Sequence, residues 1–545
     1  MANTRDETIR QTTQEYLKTL DPDNPPEPDE VAGEILDQCE QAIFQINATR
    51  QTKWKVLHRL EPSQIADIIL TLYTVISIAY AGKYSSQEMD VLGLYQTSGE
   101  NEGIYDTSEL ALRKLCRKYC YSINKKEEDE VLHILKTTAE RRERCDNIDL
   151  IAVNNGIFNY QTKTLEPFDP KYVFIAKSKV NYNPVAANQI IHNPEDGSNW
   201  DVETWVADLF DDPEITQLIW EILGAIIRPN VPWGKSAWFY STTGNNGKGT
   251  LCELMRQLCG TGSYATVALS DFSKEFMLEP LVKAQSIIVD ENDVGTYIDK
   301  AANLKAVITQ DVIAINRKFK APIAFRFKGF MVQCLNEMPK VKDKSDSFFR
   351  RQIFVPFTKC FTGAERKYIK NDYLHRAEVL EYVLYKVLHM DYYQLSCPKA
   401  CQLALQEYKE FNDPMRQFAS DILPELRWNL VPFPFLYDLY CSWYKENVGS
   451  GDTLSRQGFI QSFLTILKDF PDWDCPDKNK KYKPVNKMDW PEPLIATYHL
   501  TKWMHPMYKG SDDINKKCLT PLLPNYRGIV RTTANPYVDE NGEPK

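Results

Sequence analysis

Residues 236–250, SAWFYSTTGNNGKGT, decide how this chain is read. An apolar run, Ala237-Trp238-Phe239-Tyr240, leads into Gly244-Asn245-Asn246-Gly247-Lys248-Gly249-Thr250. Leu251, Leu254, Met255 and Leu258 then recur at helical spacing. Strand, glycine loop, lysine and helix together make a cradle for nucleotide phosphates. Glycines let the backbone approach closely, and a helix N-terminus adds partial positive charge. Lys248 is expected to reach the terminal phosphates. The loop departs from the G-x-x-x-x-G-K-[ST] pattern: Thr242 replaces the first glycine, and Gly249 stands where a magnesium-binding hydroxyl belongs, with Thr250 one residue late. A plain glycine turn before a buried helix is the competing account of this stretch alone.

The next apolar runs narrow the choice. Ile287-Ile288-Val289 delivers Asp290 and Glu291. Such a carboxylate pair suits a Walker B element, one member holding Mg2+ or its water and the other polarising the attacking water. Phe330 to Leu335 ends at Asn336, an amide placed to bond a γ-phosphate or orient the water. An Asx turn before Pro339 is the structural alternative. Arg350 and Arg351 precede a further strand, Ile353-Phe354-Val355. Either suits an arginine finger inserted into a neighbouring subunit's site, worth about 10³–10⁵ in rate; surface ion pairing is the alternative.

Taken in order, these pieces resemble the superfamily 3 helicases of the phage and plasmid primase-helicase branch. Leu304 to Asp311 with Asn316 to Lys320 is similar to that family's motif between Walker B and sensor. Asn336-Glu337-Met338-Pro339 resembles its asparagine-led turn, and Phe349-Arg350-Arg351 its aromatic-Arg-Arg signature. Ile151 to Phe158 and Trp220 to Gly224 look like segments that precede this ATPase, so the resemblance spans about 145–360. It implies an α/β AAA+-like P-loop ATPase core using ATP and Mg2+, with Asp290 and Thr250 on the metal side. Which hydroxyl touches the ion stays open. It also implies a homo-hexameric ring that tracks 3′ to 5′ on DNA.

Residues Ala314 to Phe327 alternate as a β-hairpin does, with Lys318 and Lys320 at a basic tip. No acidic residue occurs from Val312 to Asn336. The resemblance implies that this hairpin grips single-stranded DNA through Arg317, Lys318, Phe319 and Lys320, with phosphate contacts and aromatic packing. A lysine-protected, solvated edge is the alternative.

At 545 residues the chain should hold two to four domains. The expected order is a mainly α-helical N-terminal domain over 1–145, serving as an oligomerisation collar or in DNA binding. A linker region with short strands and a helix follows over 146–229, then the ATPase over 230–360. An α+β region over 361–545 follows winged-helix-like order, helix, helix and lysine-rich hairpin. N-terminal helices are expected near 30–48, 63–81, 107–121 and 126–143. The net charge of −9 is compatible with DNA binding, since phosphate contacts need only a local basic groove. Ile68 to Gly82 is too short to span a bilayer and reads as a buried helix. Thirteen cysteines without a C-x-x-C pair, and no apolar leader, point to reduced thiols and a cytoplasmic location. The expected function is an ATP-dependent replicative DNA helicase of a phage, plasmid or other mobile element. It would act on single-stranded and forked DNA, with a primase, polymerase or origin-binding partner. A primase-helicase, and an origin-binding initiator using ATP as an assembly switch, are the alternatives.

Overall fold

A computed structural model describes residues 4–82, 85–194, 196–363, 366–447 and 453–537. Packing divides the chain into two units, 1–404 and 405–545. The first opens with helices Arg5–Leu17, Pro28–Asn47, Pro62–Leu72, Glu109–Tyr119 and Lys125–Thr138. Ile35, Ile43, Ile65, Leu112, Val131 and Leu135 are among their shared core. This region is not simply helical. Tyr105–Asp106, Val91–Tyr95, Val75–Ala79 and Glu140–Glu143 form a four-stranded sheet in that order. The helix expected over 63–81 stops at Leu72, and Val75–Ala79 is a fully buried strand. Burial on both faces removes the alternation that marks a strand, so a short apolar run is ambiguous. The helix expected over 126–143 likewise ends at Thr138. The charged stretch Glu140–Glu143 then pairs parallel with Val75–Ala79.

Downstream, Leu150–Val153, Gly156–Asn159 and Thr164–Glu166 form an antiparallel sheet. Its first turn is Asn154-Asn155, because Val153 pairs with Gly156. Helix Pro213–Ile227 starts as its sequence dictates: Asp212 Oδ1 accepts from the Glu214 N–H at 2.9 Å, and proline occupies the first turn. From Leu218 to Ile227 every residue is buried. A five-stranded sheet follows, built from β1 (Ser236–Tyr240), β2 (Tyr264–Ala265), β3 (Ser286–Val289), β4 (Phe330–Leu335) and β5 (Gln352–Pro356). All neighbours are parallel, in the order β2-β3-β4-β1-β5. The later strand β4 therefore lies between the phosphate-loop strand β1 and the acidic strand β3.

The boundary expected at 361 falls inside a continuous core. Ile369, Leu374, Val383 and Val387 join the same cluster as Val332, Leu251 and Ile226. The division by packing comes instead at 404/405, within helix Lys399–Asn412.

The second unit runs helix Pro414–Ile422, strand Leu430–Pro432, helix Phe433–Asn447, helix Arg456–Ile466 and strand Trp473–Asp474. Its sheet is completed by Gly528–Arg531, which lies in the middle, antiparallel to both other strands. The lysine-rich stretch expected to form a hairpin does not close on itself; Tyr482 bridges to Tyr526 instead. Glu492, from this long connection, is fully buried and accepts from the N–H groups of Arg427 (2.8 Å), Trp428 (3.2 Å) and Leu494 (3.4 Å).

Candidate nucleotide site

The register of the central sheet brings three loops to one edge. Tyr240 of β1 pairs with Leu335 of β4, and Val289 of β3 with Gln333. Open parallel sheets hold ligands outside the carboxyl ends of their strands. Here the loop of Gly244 to Thr250, the pair Asp290-Glu291 and Asn336 all follow such ends.

The loop is shaped by steric necessity. Gly247 has φ +83°, and a Cβ there would lie 2.6 Å from Leu209 Cδ2. Both the dihedral and the close approach demand glycine. Asn245 is also left-handed, at φ 52°, a conformation that asparagine tolerates. Asn246 is buried; its amide donates to Thr243 O, and its Oδ1 accepts from the Lys248 N–H at 3.3 Å. Lys248 opens the helix Lys248–Cys259. Its Nζ donates to Asn336 Oδ1 (3.1 Å), Leu335 O (3.3 Å) and Ser241 O (3.4 Å). These acceptors are neutral, and burial pushes the ammonium below its ordinary value. A buried cation held this way gains from an incoming anion.

Asp290 receives a partner that the sequence did not reveal. Arg256 Nη2, two turns along the phosphate-loop helix, lies 2.8 Å from Asp290 Oδ1. Burial pulls that carboxyl up, but the Arg256 hydrogen bond and charge outweigh it and hold it below the usual carboxylate range. Glu291 is exposed. Asn292, next in line, is buried and anchors the acidic turn: its Nδ2 donates to Gln333 Oε1 and Cys334 O, both at 3.0 Å, and its Oδ1 accepts from the Leu269 N–H at 2.9 Å. Asp290 and the Thr250 hydroxyl are hard oxygen donors of the type Mg2+ takes alongside phosphates and water. Among the described residues no cluster of three or more His, Cys, Asp or Glu forms a ready-made cage. An ion here would be shared with phosphate.

The two arginines separate. Arg351 Nη1 donates to Ser347 O and, at 2.7 Å, to Ser347 Oγ, which folds it onto its own turn. Arg350 is exposed, with its carbonyl accepting from Lys235 Nζ. The hairpin separates too. Strands Val312–Arg317 and Lys320–Arg326 leave Lys318-Phe319 as the tip, Phe319 being 95% exposed. Arg317 donates across the hairpin to Ala321 O at 3.0 and 3.1 Å. Lys320, expected at the tip, sits on the returning strand and pairs with Glu109 at 3.1 Å. At the base, Arg144 lies over the rings of Tyr80 and Phe325 and donates to Arg326 O. Burial pushes this guanidinium down to about 10.

Beside the loop opens a cavity of about 680 Å³, a size usual for small-molecule sites. Asn245, Asn246, Gly247, Gly249 and Thr250 form one wall. Residues within 199–209, with Phe361 and residues within 366–371, carried no signal in sequence and form the others.

Three family models match parts of the chain. Residues 53–224 match the model described as D5 N terminal like, 410–498 the one described as Poxvirus D5 protein-like, and 239–351 a family of unknown function (DUF5906). Over residues 53–224 and 410–498 the chain is thus similar to D5-type proteins. Solved apo structures of the NrS-1 C terminal region are similar to it at 12–13% identity, with TM-scores of 0.38–0.41. These alignments cover 74–78% of this chain and 86–98% of theirs. No curated protein matches. No helix among the described residues is long and apolar enough to cross a membrane.

Proposed function

We propose that this chain is an ATP-driven DNA helicase, of the superfamily 3 kind, serving replication of a phage, plasmid or other mobile element. One observation carries the proposal: a buried lysine held by neutral oxygens, a carboxylate pair and an asparagine meet at one edge of a parallel sheet. Lys248 and the loop N–H groups hold the triphosphate, Glu291 positions water, and Asn336 links Lys248 to the terminal phosphate. Asp290, with Thr250, would hold Mg2+, which when bound offsets charge on the phosphate oxygens. Arg350, exposed and not folded back as Arg351 is, serves as the finger for a neighbouring subunit. A ring, by resemblance a hexamer, follows from that division of labour. Lys318 and Phe319 present charge and an aromatic face to a single strand.

The second unit supports an added capacity for duplex binding of the winged-helix type. Its helix–strand–helix–helix–strand order and the groove beside Arg456, Gln457, Gln461 and Lys478 favour it. A self-loading initiator would have both properties.

The test is hydrolysis and strand displacement on a forked substrate. Lys248→Ala should abolish both. Phe319→Ala with Lys318→Ala should spare basal hydrolysis while strand displacement falls at least about tenfold. Retained turnover in Lys248→Ala would dispose of the proposal.

A further inference from the structure

Helix Glu109–Tyr119 and the turn after it carry more exposed charge than local packing calls for. From Leu110 to Lys126 there is no acidic residue, while Arg113, Lys114, Arg117, Lys118, Lys125 and Lys126 accumulate. The arginines are engaged by carboxylates nearby. Arg113 reaches Glu128 at 3.1 Å and Asp129 at 2.6 Å, and Arg117 reaches Glu128 at 2.8 Å. Glu127 is taken by Arg59. The four lysines pair with none of these acids, and all four are exposed. Leu110, Lys114 and Lys118 follow one another at i, i+4 spacing along one helix face. Leu110 is 60% exposed, and Tyr121, two residues past the helix end, is 88% exposed. Lys125 and Lys126 occupy the first turn of the next helix, Lys125–Thr138, where the helix dipole disfavours cations. Helix stability therefore does not call for them.

One end of this row meets the basic hairpin. Glu109, the only acid of its helix, pairs with Lys320 at 3.1 Å, and Lys320 directly follows the tip, Lys318-Phe319. The helix has 11 residues, a length of about 16 Å, which leaves room for a few successive phosphates. We propose that Lys114 and Lys118, with Tyr121, Lys125 and Lys126 past the helix end, form a second contact for single-stranded nucleic acid, continuing the path from the hairpin tip. The inference rests on the reading of the hairpin as gripping a strand, and it brings the N-terminal region into that path. The lysines meet phosphates, and the Tyr121 ring offers a face on which an unpaired base stacks. A duplex keeps its base faces stacked on one another, so an exposed tyrosine among lysines favours the single strand.

The test measures binding of the full chain to an oligothymidylate of about 30 nucleotides and to a blunt duplex of equal length, by fluorescence anisotropy across a salt series, with native mass on each variant. Lys114→Ala with Lys118→Ala and Tyr121→Ala should weaken the single strand about ten- to hundredfold and leave the duplex within about twofold. The salt slope should fall by about 1.4, the share of two phosphate contacts. Lys125→Glu with Lys126→Glu should also weaken the single strand, at least about fivefold; the helix dipole favours these acids, so an undiminished melting temperature separates that loss from misfolding. Full single-strand affinity in both sets, with Lys318→Ala and Phe319→Ala still weakening it, overturns the second contact and leaves the hairpin reading standing. If the tip substitutions and both sets all leave affinity unchanged, the two readings fall together. An equal loss on the duplex, or a changed oligomeric mass, also overturns the proposal, the first marking a general phosphate-binding face and the second a subunit contact.

Discussion

Gly247→Ala isolates the geometry on which the phosphate cradle depends. At φ +83° an alanine pays about 1–2 kcal/mol for the left-handed conformation. Its Cβ would stand 2.6 Å from Leu209 Cδ2, and Leu209 is only 3% exposed, so the overpacking adds about 1–3 kcal/mol. Together these reach about 2–5 kcal/mol if the loop keeps its shape. Gly244 and Asn245 are exposed, so moving the loop is the cheaper response. The melting temperature should then change little while ATP affinity and turnover drop at least about tenfold, a displacement of the N–H cradle by a fraction of an ångström being enough. Adding Leu209→Ala removes the collision but not the dihedral strain, so the double variant should recover affinity in part. Calorimetric ATP binding, steady-state hydrolysis and thermal melting on the three variants measure each contribution. Wild-type affinity and turnover in Gly247→Ala would refute the steric argument.

Other consequences are equally open to measurement. Arg350→Ala should cut hydrolysis by about 10³ or more with nucleotide binding retained, whereas Arg351→Ala should chiefly lower stability by releasing Ser347. Mixing Arg350→Ala with Lys248→Ala subunits should restore partial hydrolysis, and a failure of this complementation would argue against a finger acting between subunits. In the second unit, burial pushes Glu492 from 4.5 up to about 7 against three backbone N–H donors that pull it down. The folded chain then keeps a proton that the unfolded chain releases, so this stabilisation is full below about pH 4.5 and lost as pH rises through about 7. The 2.5-unit difference corresponds to about 3 kcal/mol. Urea unfolding of wild type and Glu492→Gln across that window should show the difference; a pH-independent gap between them would mean the carboxyl does not titrate there.

The parts of the site that were legible in sequence are those whose chemistry is local. Glycines against an apolar strand, two acids after Val289 and an amide after Leu335 announce themselves within a few residues. Arg256 was not legible, because a helical arginine pairing with Asp290 looks like any surface charge. Charge counting alone does not tell which lysines stay free. The acid-free stretch from Val312 to Asn336 does not act as one surface: Lys328 donates to Cys145 O at 2.9 Å and burial pushes it down to about 8. Lys320 pairs with Glu109, more than two hundred positions away. Of the fold, β1, β3 and β4 were legible as apolar runs with abrupt ends. Val75–Ala79 and Glu140–Glu143 were not, one being buried on both faces and the other charged throughout; only their mutual pairing explains them.

Gly528–Arg531 is the last strand among the described residues and occupies the centre of its sheet. During synthesis the helices Pro414–Ile422, Phe433–Asn447 and Arg456–Ile466 leave the ribosome before the two outer strands, Leu430–Pro432 and Trp473–Asp474, can find what joins them. Deleting Gly528–Arg531 would thus remove a keystone, leaving two strands with bare edges open to pairing with another chain.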